Sequence, residues 1–263
     1  MIRKDTHIHA MILREDIDSE AFIKKAIAQG LQEIAITDHM PLSVNRAADR
    51  IPAGQVREYC AGVQALSEQY ADQIRILCGI EIDYHPSVIG EIEAVLAEGD
   101  FDLCLGSSHL HAFYQTDDFA TMSRQDYAKL MLENTMAAAK TGYFHVIPHV
   151  DMYRWVFANP QRFPLRETPD VDQSILPIAQ EVLTVLKEKN VALEINPHFA
   201  HATDDLNNLY PNAAIMRMAL DSGVRFCYGS DAHKADDVGI LRDLIVAHPL
   251  YGQAFGGDHC ENL

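Results

Sequence analysis

Near the start of the chain an aspartate, Asp5, is followed by two histidines one residue apart, His7 and His9. In an extended segment alternate residues point the same way, so such a pair can offer two imidazole nitrogens to one metal ion. Chemistry of the same kind recurs along the chain. It is found at Thr37-Asp38-His39, Glu81-Ile82-Asp83, Ser107-Ser108-His109, Pro148-His149-Val150-Asp151, Glu194-Ile195-Asn196 and Ser230-Asp231-Ala232-His233. One strand-end histidine is more often packed or hydrogen-bonded than ligating. Seven such groups in series are another matter, because that many polar side chains are costly to desolvate unless something coordinates them. Mixed imidazole and carboxylate donors suit Zn, Fe or Mn more than Ca. Metals held this way lower the pKa of a bridging water, supply hydroxide at neutral pH and polarise phosphoryl oxygens.

Each group closes a short apolar run. The runs at 2–8, 33–37, 74–83, 102–107, 144–148, 191–195 and 225–229 read as strands. Helix-period segments separate them at 18–29, 53–71, 86–98, 124–141, 171–190, 211–222 and 235–247, with Gly30, Gly99, Gly142 and Gly223 placed to stop helices. Strand and helix in strict alternation predict a parallel sheet covered by helices. In an α/β barrel the C-terminal strand ends meet on one face, which would bring all seven groups to one place. An open doubly wound sheet is the rival, but no GxGxxG follows the first strand. The stretch 157–172 reads as a loop inside one domain spanning 1–263.

Composition narrows the function further. The 263 residues carry 21 Lys plus Arg against 38 Asp plus Glu, a formal net charge of −17. Such a surface repels a phosphate backbone, so no nucleic-acid partner is expected. No apolar run approaches the roughly 18 residues of a membrane span, and residues 1–7 hold no apolar signal-peptide core. The five cysteines are odd in number and show no CxxC spacing. A reduced, cytoplasmic setting is expected.

The ordered set resembles the polymerase and histidinol phosphatase (PHP) superfamily, and most closely its stand-alone histidinol-phosphatase branch. The residues that carry the resemblance are Asp-x-His-x-His at Asp5, Thr37-Asp38-His39, the Glu81 segment with Asp83-Tyr84-His85-Pro86, Gly106-Ser107-Ser108-His109, Pro148-His149-Val150-Asp151, Tyr210-Pro211 and Gly229-Ser230-Asp231-Ala232-His233. The resemblance implies a distorted (β/α)7 barrel holding up to three divalent ions. It places His7, His9, Glu81 and Asp231 on a first metal, and makes Glu81 a bridge to a second one held by His109 and His149. A third would take His39, His233 and a loop residue that is often histidine in the family. This chain has Glu15 there, with Asp16 adjacent.

A small phosphorylated substrate follows from the resemblance, with histidinol phosphate favoured. Other phosphoesters, such as nucleotide or sugar phosphates, remain the enzyme alternatives. A C–N hydrolase would want a strand-end lysine to carboxylate, and none is present. A non-catalytic metal-binding module is the reading from another class. Glu81, Asp231 and His233 are the catalytic candidates, with Asp231 or His233 protonating the leaving oxygen. Arg154 is either a phosphate clamp or a solvated loop residue. His198 and His201 stand where histidinol-phosphatase relatives carry a basic, arginine-containing stretch, and are either pocket groups or exposed. His111, two residues past His109, can also face the site. His85, His145, His248 and His259 are read as structural.

Overall fold

The computed structural model describes residues 1–44, 47 and 49–256. His259 and Cys260 lie outside the described residues. Seven strands form one parallel sheet in chain order: β1 (Lys4–Ile8), β2 (Glu33–Ile36), β3 (Arg75–Asp83), β4 (Leu103–Ser107), β5 (Val146–Ile147), β6 (Ala192–Ile195) and β7 (Phe226–Tyr228). The sheet curls until its edges meet. At that seam Ile8 bridges Ala232 in parallel, Thr6 Oγ1 donates to the Tyr228 carbonyl at 3.0 Å, and the Asp231 amide donates to the His7 carbonyl at 2.8 Å. The result is a distorted (β/α)7 barrel.

Among the described residues ten α-helices flank or cap it: α1 (Ser19–Ala28), α2 (Val56–Gln69), α3 (Ile89–Glu98), α4 (Thr116–Thr121), α5 (Arg124–Thr141), α6 (Tyr153–Phe157), α7 (Val171–Lys189), α8 (His198–Thr203), α9 (Ala213–Ser222) and α10 (Arg242–Ala247). Every strand expected from periodicity is present, and so is every long helix but the last: over 235–247 the chain forms only a single turn, Ala235–Asp237, and then the six-residue α10. Three short helices, α4, α6 and α8, are additions; at five or six residues each is too short to show a period. Gly30, Gly142 and Gly223 follow their helices in the left-handed region. Gly99 ends α3 in an extended conformation instead.

Two kinds of core share the strands. Outward residues such as Ile34, Ile76, Ile80 and Phe226 pack under the helices. Ala35, Leu77, Leu103, Leu105, Val146, Ala192 and Cys227 form a separate small cluster. Counting upward from this cluster by twos leads to polar groups: Leu77 to Gly79, Glu81 and Asp83; Leu105 to Ser107 and His109; Ala192 to Glu194 and Asn196; Cys227 to Gly229, Asp231 and His233. Two-residue alternation therefore gives each of these strands an apolar lower half and a polar upper half. That division positions the site.

Candidate metal centre

Glu81, fully buried on β3, is the hub. Its Oε2 lies 3.4 Å from both His7 Nε2 and His9 Nε2 and 2.9 Å from His39 Nδ1. Its Oε1 lies 3.0 Å from His149 Nε2 and 3.6 Å from His109 Nε2. Asp231 Oδ1 closes the first group, 3.3 Å from His9 Nε2 and 3.7 Å from His7 Nε2. His7 and His9 turn their Nε2 atoms toward each other at 3.0 Å. One carboxylate thus stands between two sets of imidazoles. His9, His39 and His233 gather as a third cluster at the rim.

The donor chemistry fits divalent metals. His9 Nδ1, His39 Nδ1, Glu81 Oε2 and His149 Nδ1 are buried without a well-aligned hydrogen bond. Left unmatched, such atoms cost about 1–3 kcal/mol each; coordination removes that cost. His149 and Asp231 also sit at φ of 30° and 56°, backbone states that cost roughly 1–3 kcal/mol for non-glycine residues and cluster at functional sites. The described residues hold clusters for up to three ions.

Charge in the cleft is strongly coupled. Burial would raise the Glu81 carboxyl, but His39, His109 and His7 around it hold it well below the usual range. Asp231 is likewise held low against burial by His7, His9 and His198. Burial disfavours a charge on His7, yet Glu194, Asp231 and Glu81 together raise it well above an ordinary imidazole. His9 goes the other way, lowered by burial and by His233 and His39 beside it.

Behind the ligands stand buried carboxylates to which sequence reasoning assigned no role. Glu194 Oε1 accepts from His7 Nδ1 at 2.7 Å, while its Oε2 accepts from the His149 amide and from Asn196 Nδ2. Asn196 also reaches Asp231 Oδ2 at 3.2 Å. This closeness depends on Gly229, where a Cβ would lie 1.9 Å from Glu194 Oε1. On the other side Asp83 accepts from His109 Nδ1 and from the Arg50 guanidinium. Tying Nδ1 to an acceptor leaves Nε2 of His7 and His109 with its lone pair facing the cleft, the orientation a metal ligand requires. The available signal was two-residue spacing: Asp83 shares its strand face with Glu81, and Glu194 stands two above Ala192.

The remaining expected residues divide. His198 borders the centre: its Nδ1 lies 3.0 Å from the Asp231 carbonyl, the same oxygen that His233 Nδ1 approaches at 3.0 Å. His111 flanks His109, with ring centroids 5.5 Å apart. Burial pushes its pKa down to about 3. His201 is exposed on α8 and lies 3.4 Å from Asp237. Glu15 is exposed on the β1–α1 loop, and Asp16 beside it pairs with Arg14. Arg154 has different partners from either reading of it. Its guanidinium donates to the carbonyls of Leu209 and Asn207 and to Asn208 Oδ1, and lies 3.5 Å from buried Asp151. It braces two loops together through both terminal nitrogens, so it is not a solvated loop residue. His85, His145 and His248 each accept from a nearby backbone amide, as structural residues do.

Comparison with known proteins agrees with this geometry. A Deinococcus radiodurans protein named as a probable histidinol-phosphatase is 28% identical over 248 residues, covering 89% of this chain and 88% of that protein. The histidinol-phosphatase of Lactococcus lactis is 26% identical, covering 94% and 88%. A crystal structure of the Lactococcus lactis histidinol phosphate phosphatase, complexed with Zn, L-histidinol and phosphate, superposes with a TM-score of 0.71 at 20% identity, covering 93% of each chain. At that identity the likeness speaks for the fold. The PHP domain family matches residues 5–198, a span that runs from Asp5 beneath the first histidine pair to His198 at the rim. By its barrel, its ordered strand-end histidines and carboxylates and this match, the chain belongs to the PHP domain family.

Proposed function

We propose that the protein is a metal-dependent phosphomonoesterase acting on a small phosphate ester, with histidinol phosphate as its substrate. The observation that carries the reading is Glu81, whose two oxygens face separate histidine sets. His7, His9, Glu81 and Asp231 would hold one ion, Glu81, His109 and His149 a second, and His39 and His233 with Glu15 a third. Zn, Mn or Fe bound there supplies an activated water nucleophile and positive charge for the phosphoryl oxygens. Glu81 stays ionised among its histidines and fixes the spacing of the two deeper sites. Two groups can protonate the leaving oxygen. Asp231, kept ionised, can first take a proton from the attacking water and then return it; His233 has its Nδ1 at the Asp231 carbonyl.

The named relatives support the choice of substrate. One observation favours a second reading, another phosphomonoester: His198 stands where relatives were expected to be basic. The setting is cytoplasmic on this proposal, in keeping with free thiols at Cys60, Cys78, Cys104 and Cys227. Among the described residues no helix is long and apolar enough to cross a membrane. The test is phosphate release from a panel of monoesters, before and after chelation and metal restoration. Histidinol phosphate should give the highest kcat/KM, and chelation should abolish turnover. Full activity in metal-free protein would overturn the reading.

A further inference from the structure

Two of the proposed ligands, Asp231 and His233, ride on the loop Ser230–Gly239 that follows β7. Its middle is turned to solvent. Asp236, in the single turn Ala235–Asp237, is 95% exposed and meets Lys25 at 3.2 Å, and Asp237 meets half-exposed His201 at 3.4 Å. Surface pairs of this kind restrain a chain little.

The two ends are held differently. Asp5 of β1 is fully buried; its Oδ1 accepts from the Ser230 amide at 2.8 Å and its Oδ2 from the Gly239 amide at 3.2 Å. The His7 amide lies 3.4 Å from the same Oδ1. One carboxylate thus grips the first and last residues of the loop that carries both groups. Gly239 meets it at φ 70°, a turn that glycine makes without strain. Asp5 reaches this place because β1 changes register. It pairs with outward-packing Ile34, and the next three steps along β1 match only two along β2, from Ile34 to Ile36. Past that slip His7 and His9 face the centre. The Asp5 carboxylate therefore works from behind the wall, through backbone amides.

The two feet of the loop are not equal. The near one has other ties to β1: the Asp231 amide donates to the His7 carbonyl at 2.8 Å, and the His9 amide to the Ala232 carbonyl at 2.9 Å. From Lys234 to Ile240 the backbone bonds are local turns: Asp237 to Lys234, Val238 to Ala235 and Ile240 to Asp237. The far foot is seated by buried Val238, by the Tyr228 hydroxyl on the Ile240 carbonyl at 2.6 Å, and by Asp5, the one charged group among these.

We propose that Asp5 is a positioning residue for the rim: its carboxylate fixes the far end of the Ser230–Gly239 loop and so the place of His233. This rests on reading the strand-end histidines as metal ligands, and names a group outside the centre that governs the outermost ion. Asp5→Asn separates the two feet without a change of size. Its single oxygen serves Ser230 and His7, where two donors converge, and its amide nitrogen then faces the Gly239 N–H, donor against donor. The near foot stays and the far foot is released.

Chelator competition on the metal-loaded variant should find one of three ions bound about tenfold more weakly, the loss of one hydrogen bond to a charged group, with the other two unchanged. Its turnover should drop at limiting Mn and return when Mn is in excess. Equal weakening of all three ions marks a general structural role and overturns the proposal, as does no weakening at all. A second measurement needs no variant. In the wild-type protein, amide exchange followed by NMR should show Gly239 protected like Ser230 and far more than Asp236. Gly239 exchanging as fast as Asp236 overturns the clamp. A wild type that binds only two ions leaves nothing for Asp5 to govern and overturns it too, while the phosphatase reading stands on the deeper pair. Selective loss of one ion in a protein that hydrolyses no ester would uphold the clamp and overturn the phosphatase reading.

Discussion

The deep part of the centre and its rim are built from the same residue types but secured differently. In the depth, His7 and His109 each point Nδ1 at a fully buried carboxylate, Glu194 and Asp83. At the rim, His233 and His198 both rely on one backbone carbonyl, that of Asp231, and both are half-buried. The remaining rim candidate, Glu15, is exposed on a loop. A charged acceptor makes a hydrogen bond about twice as strong as a neutral one and raises the basicity of the imidazole it holds. With the sites filled as proposed, the deep ones would be the better preorganised and the rim site would hold its ion least tightly.

The sharpest way to break this contrast is at the hub. Glu81→Gln keeps the volume and removes the charge that both deep sites share. Activity should fall by more than about 100-fold, beyond the usual effect of an outer partner, with circular dichroism unchanged. Turnover near wild type would remove Glu81 from the bridge. The next largest effect concerns the backing carboxylates. Glu194→Gln and Asp83→Asn should each weaken metal affinity by about 10–100-fold, read by chelator competition. If both variants held metal as tightly as wild type, the depth would owe nothing to its buried acceptors. The smallest effect belongs to the rim. Glu15→Ala should lose one metal equivalent and leave the other two, while Asp16→Ala, whose carboxylate is engaged by Arg14, should lose none. Elemental analysis decides between them. Three equivalents retained in Glu15→Ala would mean that His9, His39 and His233 build the rim without this loop.

How far the molecule could be read from its residues depended on whether a local pattern marked the role. The barrel was legible because strand and helix periods persist over many residues. The histidines and carboxylates that gather in the cleft were legible because they close those strands in a fixed order. Glu194 and Asp83 were seen as strand ends but given no task, since each acts on a histidine far away in the chain. Arg154 could be read as a phosphate clamp or as a solvated loop residue because nothing local reveals the three loop acceptors that engage it.

The seam between β1 and β7 has a temporal meaning. His7 and His9 emerge early in synthesis and Asp231 more than 220 residues later, and only then does Asp5 meet the amides of Ser230 and Gly239. Until β7 docks, the first site lacks its final ligand and the early histidines have nothing to close against. On the proposed ligand set the first site is finished only once synthesis has passed Asp231, and a truncated product that stops short of it would be left without a finished site. On that set, a filled first site would mark that the last strand has been made and put in place.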